Sequence, residues 1–146
     1  MITLAHLQTR FDKDNELAEL TDREHSTTID VDVVNAAIRD AESEAESYLN
    51  ATGLIGRNAL GELVYLKSSI VPDMLIGKIC DMARWYLHED QMLDIVQKRY
   101  DGAIAWLKMV MKNPSMLTGV SQSEESSNAV SGVFVIPNPV PNKWID

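Results

Sequence analysis

The chain has 146 residues, 45% of them apolar, which suits one domain with a real core and no need of metal or disulfide support. Its single cysteine excludes an internal disulfide and fits a reducing compartment, and a net charge of -9 argues against a phosphate-gripping surface, which needs clustered Lys and Arg. No apolar run approaches membrane-spanning length and the N-terminus lacks the basic start and long apolar segment of a signal peptide, so the expectation is a soluble cytosolic protein without a membrane partner.

In chain order, Thr3 is placed to cap a short helix carrying Leu4, Leu7 and Phe11, and FDKDNE reads as a turn before a second short helix around Glu16, Leu17 and Leu20. The polar segment TDREHSTTI follows neither period and reads as a loop, after which Asp30 caps the next element. From residue 31 to about 50, Val34, Ala37, Ile38, Ala41, Ala45, Tyr48 and Leu49 make a stripe at helical spacing. The acidic face of this helix, Asp40, Glu42, Glu44 and Glu46, is expected to point outward. Residues 12–50 hold twelve acids against Lys13, Arg23 and Arg39, which accounts for the whole net charge. Such a stretch is either a solvated face or a surface for a partner.

Residues 51–70 contain Gly53, Gly56 and Gly61 around two apolar patches and predict an irregular excursion, a hairpin with 63–66 extended. It is long for a link within a bundle. It either packs over one end of the core or contacts a partner, and Leu63, Val64 and Tyr65 are its candidate interface residues.

The stretch 71–90, VPDMLIGKICDMARWYLHED, predicts the central helix. Pro72 suits a first turn and Asp73 complements the dipole. Leu75, Ile76, Ile79, Cys80, Met82, Ala83, Tyr86 and Leu87 make it apolar over most of its circumference, so several neighbours must pack on it. Lys78, Asp81 and Arg84 interrupt the stripe, and Asp81 with Arg84 is expected to be a modest surface pair. After a break at HEDQM, a helix is predicted from about Met92 to Lys112 with Val96, Tyr100, Ala103, Ile104, Leu107, Val110 and Met111 inward. Asn113 and Pro114 stop it, and the short link makes it an antiparallel partner of the central helix.

Beyond Pro114 the composition changes. Residues 118–132 are rich in Ser, Gly and Asn and read as a flexible linker, followed by VFVIPNPVPNKWI with a β-prone run, three prolines and Trp144. Apolar anchors on a tether (Val133, Phe134, Val135, Ile136 and Trp144) point to docking in trans, the alternative being a tail folded back on its own bundle.

Chemistry-bearing motifs are thin. His88-Glu89 opens like a zinc-protease motif, but Met92 stands where the second histidine is needed, and the chain has no phosphate loop, dinucleotide glycine pattern or nucleophile elbow. His6 and His25 have no ligand-spaced partners. Cys80 and His88 would lie about 12 Å apart along a helix, so Cys80 reads as a packed core residue. Trp85 and Trp106 read as core or interface. An enzyme would need Asp81, Arg84 and His88, which share a helical face, to converge in a pocket. The expectation is no catalytic residue, no cofactor and no metal. The predicted fold class is all-α: a small bundle of about four main helices over residues 1–113, with a glycine-containing loop, and a linker and extended tail over residues 114–146.

The order Val71-Pro72, then Cys80 through Leu87 with Glu89-Asp90, then Arg99-Tyr100-Asp101 and Ala103 through Leu107 resembles the Mu-like phage and prophage family of small head-tail connector (neck) proteins. Leu17 through Asp22 and the helix from Asp40-Ala41-Glu42 to Tyr48-Leu49 share the resemblance, which covers roughly residues 1–112. Its core motif here is Pro72, Cys80, Ala83, Tyr86, Tyr100 and Leu107. The excursion at 51–70 and the proline-rich end depart from it. The resemblance implies a non-enzymatic helical adaptor that forms a ring under the portal protein and extends the DNA conduit. Its partners would be the portal, other neck and tail proteins, further copies of itself and passing DNA without sequence recognition. Its place would be the virion neck after assembly in the host cytoplasm. The competing class is an acidic helical regulatory module of the DNA-mimic or anti-repressor type.

Overall fold

The computed structural model describes residues 1–11, 16–22, 24, 28–88 and 91–118. The chain forms two units, Met1–Pro114 and Ser115–Asp146, of which the first is the helical body. Helix α1, Leu4–Gln8, starts at a capping box in which the Thr3 hydroxyl accepts from the His6 N–H while His6 Nδ1 accepts from the Thr3 N–H at 3.1 Å, so a histidine fills the usual Glu position. Helix α2, Glu16–Thr21, ends where the Thr21 hydroxyl donates to the Leu17 carbonyl at 2.8 Å and accepts from the Asp30 N–H at 2.9 Å. That one hydroxyl joins the end of α2 to the start of α3, Val31–Leu49, whose first free N–H groups at Asp32 and Val33 are taken by the Asp30 carboxylate.

The predicted stripe on α3 is inward: Val34, Ala37, Ile38, Ala41, Ala45 and Leu49 are buried and Tyr48 is half-buried. Alanines at every fourth position let neighbouring helices come close, and α4, Asp73–Leu87, packs on α3, on α1 and on α5, Asp94–Lys112. Leu75, Ile79, Cys80, Met82, Ala83 and Leu87 bury the inner circumference of α4. Helix α5 begins two residues after the predicted Met92, because Leu93 is still extended at φ -97°, ψ 146°. It buries Val96, Ala103, Leu107 and Val110, whereas Met111, expected inward, is exposed.

Between α3 and α4 the chain makes a 3-10 turn, Asn50–Thr52, and an antiparallel pair, β1 Ile55–Arg57 with β2 Leu63–Tyr65. The body is therefore mostly helical with a small sheet, which corrects the all-α fold class expected from the sequence. The cause is local: Gly53 and Gly61 take φ of 76° and 79°, a left-handed conformation costly for a side chain, Gly53 ending the helical run after α3 and Gly61 turning the chain between the two strands. Among the described residues no helix is long and apolar enough to cross a membrane.

Candidate interfaces and a buried polar cluster

The hairpin is held by its turn and by one arginine. The Asn58 side-chain oxygen accepts from the N–H groups of Leu60 and Glu62, both at 2.9 Å. Arg57 on β1 donates to both oxygens of Glu46 on α3 and, through Nη1, to the Gly61 carbonyl at 3.1 Å. Of the predicted interface residues here, Leu63 is buried and Val64 and Tyr65 are half-buried, so Leu63 packs inward and is no surface anchor. The exposed apolar side chains are instead Leu60 at the turn, then Leu66 and Ile70 on the path into α4 and Met74 in its first turn. A groove of about 540 Å³ runs along β2, lined by residues 62–65, by Ser68, Ser69 and Val71, and by Met1, Ile2 and Thr3.

The acidic face of α3 is largely not an outward face. Asp40 is exposed. Glu42 is buried and accepts from the Ile2 N–H at 2.9 Å and from the Met1 amino group at 2.8 Å. Glu44 accepts from the Tyr86 hydroxyl at 2.9 Å and the Tyr100 hydroxyl at 2.7 Å, and Glu46 pairs with Arg57. Three of the four predicted surface carboxylates thus serve internal partners, because each lies at the edge of the apolar stripe where a neighbouring element overhangs it. Tyr100 also stacks on Trp85 with ring centroids 4.1 Å apart, and the Trp85 indole N–H donates to Gln97 at 3.0 Å. Of the remaining motif positions, Cys80, Ala83 and Leu107 are fully buried and Pro72 is half-buried at the N-cap of α4.

Asp81 and Arg84, expected as a surface pair, are 8% and 5% exposed and do not pair with one another. Asp81 faces Arg10 at 3.9 Å, and Arg10 reaches it by lying against Gly77, where any Cβ would collide with the guanidinium. Burial pushes the Asp81 carboxyl above the usual range, against the pull of Arg10 and other cations, and among the described residues its Oδ1 has no hydrogen-bond donor. Arg84 meets Glu16 at 3.5 Å and lies 5.1 Å from the centre of the Phe11 ring. His88 lies 3.9 Å from the same Glu16 oxygen, and its Nδ1–H donates to the Arg84 carbonyl at 3.0 Å. Arg10, just after α1, and Glu16 on α2 thus supply the counter-charges for α4. A charged residue inside an apolar stripe demands such a partner, and that was the one sequence signal for this cluster. Among the described residues no three His, Cys, Asp or Glu groups are placed to hold a metal ion.

Cys80 is fully buried, and loss of solvation pushes its thiol up to about 11. Native protein at about pH 8 should therefore resist an aromatic disulfide reagent and release one thiol equivalent only on denaturation; rapid labelling of the folded protein would contradict this. The predicted tail anchors Val133, Phe134, Val135, Ile136 and Trp144 lie outside the described residues.

Residues 2–136 match the family described as Bacteriophage Mu, Gp36. The chain belongs to that family. It is a phage protein by that membership, and the match to the Gp36 family takes in the whole helical body, the hairpin, the polar cluster and the 133–136 run, stopping short of Trp144. No curated protein matches the chain.

Proposed function

We propose that this Gp36-family protein is a non-enzymatic head-tail connector of the virion neck, assembled in the host cytoplasm. Copies associate side by side as a ring under the portal and continue the DNA conduit toward the tail. The observation that carries the reading is the family match over residues 2–136. Two features of the body support it. Asp81, Arg84 and His88, the residues a catalytic reading would need, are buried beside Arg10, Glu16 and backbone. The hairpin and its link to α4 leave Leu60, Leu66, Ile70 and Met74 exposed, apolar side chains available to a neighbouring copy. A DNA-mimic reading rested on an acidic face of α3, and that face is mostly spent on internal partners.

The test is the mass of the purified protein across concentration, alone and with the portal protein of the same phage. The expected result is a small species that becomes a large ring, by itself or on the portal. A fixed small oligomer indifferent to the portal overturns the reading. A chain truncated after Asn113 should assemble poorly, since the tail is proposed to reach a neighbour or the portal.

A further inference from the structure

Helix α5 has a second, uncovered stripe. Its first, Val96, Ala103, Leu107 and Val110, is buried in the body. On the outward side Ile95, Lys98, Gly102, Ala105 and Met109 recur at spacings of three and four, and all five are exposed, Ile95 at 48% and Met109 at 49%. That spacing is the spacing of a seam between two helices. Glycine inside a helix is unfavourable, and a Cβ at Gly102 would meet nothing in the chain, so the packing of the body does not call for it. A glycine and an alanine at the middle of a seam let a second helix come close.

The same chain carries the complement. The outward side of α3 repeats the spacing with Val33, Ala36, Asp40, Ser43 and Ser47, of which Ala36 is half-buried and the others are exposed. Helix α5 holds four cations against two acids, and α3 five acids against one cation. Two antiparallel registers of these stripes keep four or more layers in step. One sets Ile95 against Ser43, Lys98 against Asp40, Gly102 against Ala36 and Ala105 against Val33. Its flanking positions match as well, Asp101 beside Arg39 and Lys108 beside Asp32, and Asp94 falls beside Glu46, whose carboxylate Arg57 already holds. The other register brings Asp101 to Glu46 and Lys108 to Arg39, like charge against like. In parallel packing with all five layers filled, no layer joins opposite charges.

We propose that the outward face of α5 docks antiparallel on the outward face of α3 of a second copy, in the register that sets Lys98 against Asp40. Two different faces meet, so every copy offers one of each and the contact repeats from neighbour to neighbour around a ring. The proposal rests on the self-association reading above and adds to it the surfaces that join the copies. The first experiment mixes full-length Ser43→Cys protein with full-length Ile95→Cys protein under the condition that assembles the parent chain, alone or on the portal, with mild oxidation. The buried Cys80 stays out of the reaction. The expected product is a disulfide between residues 43 and 95 of different molecules, read by peptide mass. Assembly without that product, or with 43–43 or 95–95 products in its place, means that another surface or partner meets α5; it overturns the proposal and leaves the connector reading standing. The second experiment reverses the charges. Lys98→Glu should raise the concentration for half-assembly by at least about 10-fold, and adding Asp40→Lys to the same chain should bring it back to within about 3-fold of the parent. No weakening in Lys98→Glu, or weakening that Asp40→Lys does not reverse, overturns the proposal. A parent chain that assembles neither alone nor on the portal overturns both readings.

Discussion

Arg84→Met should lower stability by about 3 kcal/mol, the low end for removing one member of a buried ion pair, because Glu16 keeps some contact with solvent. Methionine preserves much of the stem volume, so the loss belongs to the charge and to the cation above the Phe11 ring rather than to a cavity. The urea midpoint should fall accordingly and the thermal midpoint by roughly 10–15 °C. Glu16→Gln placed in the Arg84→Met protein should recover most of the deficit, since it removes the carboxylate left without its partner. Additive losses in the double variant, or an unchanged midpoint in Arg84→Met, would show that the pair is not coupled.

Glu44→Leu should cost about 2 kcal/mol. The carboxylate accepts from phenols on two different helices, and charge-assisted bonds are the stronger kind, but both tyrosines are half-buried and regain part of the loss from water. A double-mutant cycle with Tyr100→Phe should give a coupling of about 1 kcal/mol, whereas zero coupling would refute the shared acceptor. Alkaline pH offers a second view. Burial, followed by the Glu44 bond, pushes the Tyr86 phenol up to about 12 and the Tyr100 phenol further in the same direction. Each folded value lies above the unfolded one, so this stabilisation is complete below about pH 10 and lost as pH rises through the folded values. In Glu44→Leu, ultraviolet titration should show tyrosine ionisation beginning at lower pH than in the parent.

The long elements were legible because their signals are local. Val34 through Leu49 repeat at helical spacing, Asp30 stands where a cap is needed, and Gly53 and Gly61 mark the left-handed turns of the hairpin region. Cys80 could be placed in the core for the same reason. The polar architecture was not legible, because its partners are remote: Ile2 with Glu42, Tyr86 and Tyr100 with Glu44, Arg10 with Asp81. Periodicity sorts residues into stripe and remainder, but Glu42 and Glu44 sit at the boundary, where packing decides. Residues 63–65 could be read as extended, yet which of them faces inward depends on the register with β1, and that is set by the Asn58 turn. For the interface candidates the legible part was the segment, and the burial of Leu63 within it needed coordinates.

The Arg57 contacts give the hairpin a mechanical character. One guanidinium holds the carboxylate of Glu46 on α3 and the carbonyl of Gly61 in the turn, so the hairpin is braced at its tip as well as at its base. A tug on β2 would meet a strut instead of a pliant loop. The load would pass into α3 and, through the two phenols on Glu44, into α4 and α5 together.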